Sequence, residues 1–201
     1  SMGNVQKSLL AADYLLYPSN YMKNIMVQAY CLENIFKGKI LCSGYPRNSV
    51  FFKAEEGEAL RKKLYPNKKK IYAYMPTWRG VVGKVQTNEQ IAEVESYLLQ
   101  LDNALAEDEI FLVRLHPFVA KAMDYSKFQH ISSFPEGYEP YDILNTVDCL
   151  VTDYSSVFFD FANSGKKIVL FVYDKEDYLD DRGIYVQLDK FPFPQVYSVD
   201  E

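Results

Sequence analysis

The sequence predicts an α/β fold, a Rossmann-like parallel sheet with helices on both faces. Segments that favour strands alternate with segments of helical period along most of the 201 residues. The strand segments, such as 71–75 and 110–115, are almost continuously apolar instead of alternating apolar with polar residues. Continuous apolar strands are typical of parallel sheets covered on both sides, which fixes the fold class.

The individual elements follow from hydrophobic period and from turn and cap residues. The predicted strands cover residues 13–17, 39–42, 71–75, 110–115, 130–132, 150–152 and 168–173. The predicted helices cover residues 20–34, 54–64, 90–105, 141–147 and 156–163. The segment 90–105 has a helical period in its apolar residues, which are Ile91, Val94, Tyr97, Leu98, Leu101 and Leu105.

Bulk composition excludes some function classes. Apolar residues make up 48% and charged residues 24%, an ordinary globular balance. The formal net charge of −5 argues against a general nucleic-acid binder, and no nucleic-acid partner is expected. If the ligand is anionic, the positive charge that binds it must be local.

Cysteines and the chain start say little about chemistry. Cys31, Cys42 and Cys149 have no metal-site spacing and are interpreted as reduced core residues of a cytosolic protein. No run approaches the ~18 apolar residues of a membrane helix, and no signal-peptide pattern opens the chain. We interpret residues 1–3 as a remnant of expression cloning.

Polar residues follow four of the predicted strands, where ligands collect in open α/β sheets. Thr77 and Arg79 follow the strand at 71–75, and Arg114 and His116 end the strand at 110–115. Asp153, Ser155 and Ser156 follow the strand at 150–152, and Asp174 and Arg182 follow the strand at 168–173. Taken singly, each has a structural interpretation: a hydrogen-bonded histidine, a surface arginine, an aspartate or serine that caps a helix. Their recurrence at one sheet edge favours a binding site.

The chemistry these residues predict is recognition of a phosphate or diphosphate. A helix that begins at Ser155 and Ser156 offers backbone N–H donors and the positive end of its dipole. His116 can donate to a phosphate oxygen, and the arginines supply charge. Asp160 can accept from ribose hydroxyls or can be a solvated helix acid. Because neither a Walker loop nor a GxGxxG stretch is present, a glycine-rich cradle is not expected.

Five motifs in order resemble the CDP-glycerol glycerophosphotransferases, bacterial enzymes of teichoic acid synthesis. The motifs are Gly44-Tyr45-Pro46-Arg47-Asn48, Pro76-Thr77-Trp78-Arg79, Arg114-Leu115-His116-Pro117, Thr152-Asp153-Tyr154-Ser155-Ser156 with Phe159-Asp160, and Asp181-Arg182-Gly183 with Tyr185. The resemblance covers most of residues 13–190.

The resemblance implies a GT-B-type fold and transfer of glycerol phosphate from CDP-glycerol, or a similar CDP-alditol, to an acceptor hydroxyl. His116, Ser155 and Ser156 are then expected to contact the diphosphate, and Asp160 the ribose or glycerol hydroxyls. The other expected substrate contacts are Thr77, Arg79, Arg114, Asp153 and Arg182. The resemblance implies no cofactor and no metal. The acceptor implied is a lipid-linked glycan or polyol phosphate, with the enzyme peripheral to the inner face of the bacterial membrane.

The sequence also departs from the family pattern. The family's acceptor half carries a His-Gly motif whose histidine is thought to be the general base, whereas His116 and His130, the two histidines of this chain, are not followed by glycine. We therefore expect residues 51–201 to be the donor-binding domain and residues 1–50 the tail of an acceptor-side domain or a lead-in segment. The chain alone is expected to be inactive. The alternatives are a nucleotide-sugar-dependent GT-B glycosyltransferase or epimerase-like domain, and a non-catalytic nucleotide-binding module.

Overall fold

A computed structural model describes residues 2–77, 88–184 and 186–201. The chain divides into two compact units, one ending at Ser49 and the other beginning at Val50. Each unit has its own hydrophobic core. Within the described ranges, no helix has both the length and the apolar character needed to cross a membrane.

The first unit is a small α/β motif. Its elements are α1 (Met2–Leu10), β1 (Tyr14–Tyr17), α2 (Asn20–Ala29) and β2 (Lys39–Cys42). The two strands pair in parallel, and Leu15, Tyr17 and Leu32 form the core. Helix α2 begins where the Ser19 side chain accepts from the Met22 N–H at 3.2 Å. It ends earlier than the predicted residue 34, because Cys31 adopts a positive φ of 50° that no right-handed helix allows.

The second unit contains a six-stranded parallel sheet in the order β5-β4-β3-β6-β7-β8. The strands are β3 (Lys70–Tyr74), β4 (Glu109–Val113), β5 (Ile131–Ser133), β6 (Cys149–Thr152), β7 (Lys167–Phe171) and β8 (Gln195–Val196). The helices are α3 (Ala54–Leu64), α4 (Asn88–Ala104), α5 (Pro117–Ala120), α6 (Pro140–Thr146), α7 (Val157–Phe161) and α8 (Lys175–Asp181). The predicted fold class is confirmed.

Helices cover both faces of this sheet, which explains why its strands are apolar on both sides. On one face, Ile71 and Ala73 of β3 belong to a core that includes Ile143 of α6 and Phe161 of α7. On the other face, Tyr74 belongs to a core with residues of α4 and α5. The central strands are therefore excluded from water on both faces, as their composition predicts.

The structure differs from the sequence prediction in several elements. The predicted helix at 156–163 is the five-residue α7 followed by a 3₁₀ turn over Ala162–Ser164. Gly165, with a φ of 67°, ends that turn in the left-handed region that glycine adopts without strain. The sequence prediction does not include helices α1, α5 and α8 or strand β8.

Candidate functional site

A cavity of about 580 Å³ opens at the carboxyl ends of the parallel strands. Thr77 reaches it from the segment after β3, His116 from the segment after β4 and Arg182 from the end of α8. Helix α4 supplies another wall. With Asp174, which also lines it, four of the strand-end residues named from the sequence therefore line one cavity, because the parallel strands all end at the same edge of the sheet.

Asp153 is a buried carboxylate, only 1% exposed, that fastens the segment after β6 to the segment after β3. The Thr77 N–H donates to its two oxygens at 2.8 and 2.9 Å, and the Thr77 hydroxyl donates to Oδ1 at 2.7 Å. The Ser155 N–H donates to the same oxygen at 3.2 Å. Beside it, the Thr152 hydroxyl donates to the Met75 carbonyl at 2.6 Å. This geometry gives Asp153 a scaffolding role, since its oxygens already accept from the protein.

Ser155 and Ser156 differ in what their hydroxyls do. The Ser155 Oγ accepts from the Val157 N–H at 3.4 Å, so this side chain serves the start of α7. Ser156 is exposed and its side chain makes no capping bond. Neither serine is among the described residues that line the cavity. Helix α7 has only five residues, so its dipole is weaker than the predicted longer helix implied.

His116 is held in place through its backbone. Its carbonyl accepts from the N–H groups of Val119 and Ala120 at 2.9 and 3.0 Å, which fixes the start of α5. The half-buried imidazole lines the cavity. Arg114 is exposed instead, and its guanidinium lies 5.9 Å from the centre of the Phe134 ring. Arg114 is not among the described residues of the cavity wall.

Arg182 follows the last residue of α8, and its side chain is 34% exposed. Its Nε lies 3.3 Å from Oδ2 of Asp181, and its guanidinium carbon lies 6.0 Å from the centre of the Tyr178 ring. Both Tyr178 and Asp181 also line the cavity. Arg182 thus brings a positive charge to a cavity whose other charged walls are mostly acidic.

The acidic wall consists of Glu93, Asp174, Asp177 and Asp181. These carboxylates disfavour an anion beside them, but carboxylates accept well from sugar or polyol hydroxyls. Among the described wall residues, His116 and Arg182 are the ones that can donate to an anionic group from a cationic side chain, and Arg182 lies 3.3 Å from the carboxylate of Asp181. Among the residues that the structure describes, no group of three or more histidine, cysteine or acidic side chains is arranged to hold a metal ion.

Tyrosines are among the wall residues that the sequence did not predict. Tyr74, Tyr97, Tyr173, Tyr178 and Tyr197 all line the cavity. Burial, followed by the hydrogen bond to Glu93, raises the pKa of Tyr97 to about 12. Its hydroxyl donates to Glu93 Oε1 at 2.9 Å and stays protonated at neutral pH. The position of Tyr173 just after a strand was the available signal, but tyrosine is as common in cores as in sites.

Asp160, another predicted contact, is a buried residue of α7. Asp160 is only 4% exposed and accepts from the Tyr141 hydroxyl at 2.6 Å. It is not among the described cavity residues, so the structure does not place it with Thr77 and His116. Arg79 and its neighbour Trp78 lie outside the described residues.

A Rossmann-like sheet with a polar, aromatic-walled cavity at its carboxyl edge is the arrangement of nucleotide-binding domains. The chain belongs to the CDP-glycerol:poly(glycerophosphate) glycerophosphotransferase family, whose sequence pattern matches residues 2–201. The family prediction made from the five motifs is confirmed. Membership favours the glycerophosphotransferase interpretation over a nucleotide-sugar enzyme.

Individual relatives support the assignment. The chain is 34% identical over 196 residues to the teichoic acid poly(glycerol phosphate) polymerase of Bacillus subtilis strain 168, covering 94% of this chain and 26% of that protein. It is 32% identical over 202 residues to the teichoic acid poly(ribitol-phosphate) polymerase of Bacillus spizizenii, covering 90% and 31%.

A solved structure of a variant of the wall teichoic acid polymerase TagF, soaked with CDPG, has a TM-score of 0.79 to this chain at 29% identity. The match covers 98% of this chain and 49% of that chain. It confirms the predicted GT-B-type α/β fold. This chain therefore spans at most about half the length of the relatives described.

Proposed function

We propose that this chain is the donor-binding part of an enzyme of teichoic acid or cell-surface polymer synthesis. The enzyme transfers glycerol phosphate, or a related alditol phosphate, to an acceptor hydroxyl. The donor is CDP-glycerol or a similar CDP-alditol. One observation carries the proposal. In this chain, which belongs to the family, Thr77, His116 and Arg182 line one cavity at the carboxyl edge of the sheet.

The reaction proposed is a phosphoryl transfer. The acceptor oxygen forms a bond to the phosphorus that bears the glycerol, the bond from that phosphorus to the oxygen bridging the two phosphates breaks, and CMP leaves with the electron pair. The acceptor hydroxyl loses its proton to a base. Such a step depends on positioning and on stabilising the charge around the phosphorus.

The roles of the cavity residues follow from their chemistry. His116 donates a hydrogen bond to a diphosphate oxygen, and Arg182 supplies a positive charge to it. A diphosphate contact from Ser156, whose exposed side chain makes no capping bond but is not among the described cavity residues, stays a prediction. Roles for Arg79 and Arg114 stay predictions. The acidic wall gives the ribose or polyol hydroxyls carboxylate acceptors.

We propose that residues 51–201 bind the donor and that residues 1–50 belong to the acceptor side. The general base and the site that binds the lipid-linked acceptor are then proposed to lie in parts of the longer relatives that this chain does not cover. The proposed location is the inner face of the bacterial membrane, where such an acceptor is available. We further propose that the donor binds without cofactor or metal, because His116 and Arg182 supply the positive charge.

Isothermal titration of this chain tests the proposal. The ligands are CDP-glycerol, CDP-ribitol, CDP and UDP-glucose, each titrated with EDTA and again with Mg²⁺. We expect cytidine ligands to bind more tightly than UDP-glucose, to bind equally with and without Mg²⁺, and to turn over negligibly. The two alditol ligands are both included because the relatives named above include a glycerol-phosphate and a ribitol-phosphate polymerase. Absence of binding by every cytidine ligand overturns the proposal.

A further inference from the structure

Two tyrosines join the segment after β6 to helix α8. The rings of Tyr154 and Tyr178 are stacked, with centroids 3.8 Å apart and planes inclined by 12°. The Tyr154 hydroxyl also donates to Oδ1 of Asp174, directly before α8, at 3.1 Å. Tyr154 follows Asp153, the buried carboxylate that holds Thr77. The stack therefore connects α8, which lines the cavity, to the segment after β6, which is hydrogen-bonded to Thr77.

Arg182 lies one helical turn beyond Tyr178. Its N–H donates to the Tyr178 carbonyl at 3.0 Å, so the backbone fixes where the arginine side chain starts. Residues four apart share a helix face, which brings the guanidinium over the Tyr178 ring, 6.0 Å from its centre. Gly183, with a φ of 67°, ends the helix directly afterwards, and its N–H donates to the Leu179 carbonyl at 3.1 Å.

An arginine side chain loses about 2 kcal/mol of rotamer freedom when it is fixed in one geometry. A residue that already restricts the guanidinium in the empty cavity lowers that loss when an anion binds. The Tyr178 ring lies where it can do this, and Tyr154 limits the movement of the ring by stacking on it. This restriction of the guanidinium requires no contact between Tyr178 and the ligand.

We propose that Tyr178, supported by Tyr154, is a positioning residue that holds the Arg182 guanidinium toward the diphosphate of the donor. The inference rests on the function proposed above, because it needs an anion in the cavity. The inference adds to that function a specific contribution of the segment after β6. Tyr154 in that segment supports Tyr178, which in turn holds the Arg182 guanidinium toward the diphosphate.

A double-mutant cycle with CDP-glycerol as the titrated ligand tests this inference on the full chain. Tyr178→Leu removes the ring, and we expect it to weaken binding about fivefold, the size of one cation–π contact. Arg182→Gln weakens binding more. Because Tyr178 acts through Arg182, the double variant binds no more weakly than Arg182→Gln alone. Tyr178→Phe keeps the ring and restores binding to within about twofold of the wild type, within the usual error of such cycles.

Tyr138→Leu is the matched control, because Tyr138 also lies beneath a cation, with Lys63 Nζ 5.5 Å from its ring centre, but is not among the described cavity residues. It leaves the affinity unchanged. Thermal unfolding checks that each variant is folded. If Tyr178→Leu is not, Tyr178→Met replaces it in the cycle.

A second measurement does not depend on affinity. The ring current of Tyr178 displaces the NMR signal of the Arg182 Nε–H group, and we expect this displacement in the wild type and in Tyr178→Phe but not in Tyr178→Leu.

The outcomes separate this inference from the proposed function. If the wild type binds CDP-glycerol but Tyr178→Leu binds equally well, only the positioning role is overturned. If the effects of Tyr178→Leu and Arg182→Gln add, Tyr178 contacts the ligand independently, and the inference is again wrong. If the wild type binds no cytidine ligand, both the proposed function and this inference fail.

Discussion

The carboxylate of Asp153 accepts hydrogen bonds from both the backbone N–H and the side-chain hydroxyl of Thr77, across 76 positions of sequence. Thr77 follows β3 and Asp153 follows β6, and these strands are neighbours in the sheet. A buried charge is stabilised when several donors surround it, as they do here. The junction fixes the distance between the segment after β3, where Thr77 lines the cavity, and the segment after β6.

We therefore predict that Asp153→Ala lowers the free energy of unfolding by about 3 kcal/mol, because it leaves buried donors unpaired. Thr77→Val removes only the hydroxyl bond and lowers it by about 1 kcal/mol. Urea denaturation measures both values. Unchanged stability in Asp153→Ala, together with a loss of donor affinity, would show that this carboxylate contacts the ligand instead of the scaffold.

His116→Ala is predicted to weaken CDP-glycerol binding at least tenfold, about 1.4 kcal/mol, since the imidazole lines the cavity and is proposed to donate to the diphosphate. Calorimetric titration measures the change. His130→Ala is the matched control, because His130 directly precedes β5 and so lies at the amino ends of the strands, away from the cavity. Its backbone N–H donates to Asp102 at 2.8 Å, and alanine keeps this bond. An unchanged affinity in His116→Ala would remove this histidine from the site.

The sequence predicts the fold and the site to different depths. Continuous apolar segments around Ile71 and Leu150 identify buried parallel strands, because such strands need no polar face. Ligands collect at the carboxyl ends of the strands in such sheets, and this principle correctly predicts that Thr77, His116 and Arg182 share one cavity. The sequence pattern does not predict the direction in which a polar side chain points after the end of a strand.

Asp153 and the cavity tyrosines illustrate that limit. An aspartate after a strand has the same sequence signal whether it faces a ligand or, as here, accepts from Thr77 inside the protein. Tyr97 falls on the apolar face of a helix and is predicted as core, yet it lines the cavity as well. Both outcomes depend on packing between elements distant in the sequence.

Asp160 gives a prediction that separates the sequence-based role from the structural one. The structure shows its carboxylate buried and bonded to the Tyr141 hydroxyl at 2.6 Å. We expect Tyr141→Phe to lower the free energy of unfolding by about 1–2 kcal/mol and to leave CDP-glycerol affinity unchanged. Urea denaturation and calorimetry on the same sample check this. A loss of affinity without a loss of stability would favour the ribose or glycerol contact predicted from the sequence.

Alkaline pH is predicted to destabilise the second unit through its buried tyrosines. Burial raises the pKa of Tyr125 to about 12, and burial with the neighbouring Tyr138 does the same for Tyr65. An unfolded chain ionises its tyrosines near pH 10, about two units lower. Between these values the folded state binds more protons than the unfolded state, so the free energy of unfolding falls as the pH rises. This contribution is complete below about pH 10 and is lost as the pH rises toward 12.

Tyr125→Phe removes one ionising group, and we expect a smaller decrease in stability between pH 8 and pH 11 than in the wild type, from the same linkage. Urea denaturation midpoints at the two pH values measure the difference. Tyr197→Phe, at a side chain that is 49% exposed, is the control and is expected to leave the decrease unchanged. Equal decreases in the wild type and Tyr125→Phe would show that the Tyr125 hydroxyl reaches solvent and ionises as readily in the folded state as in the unfolded chain.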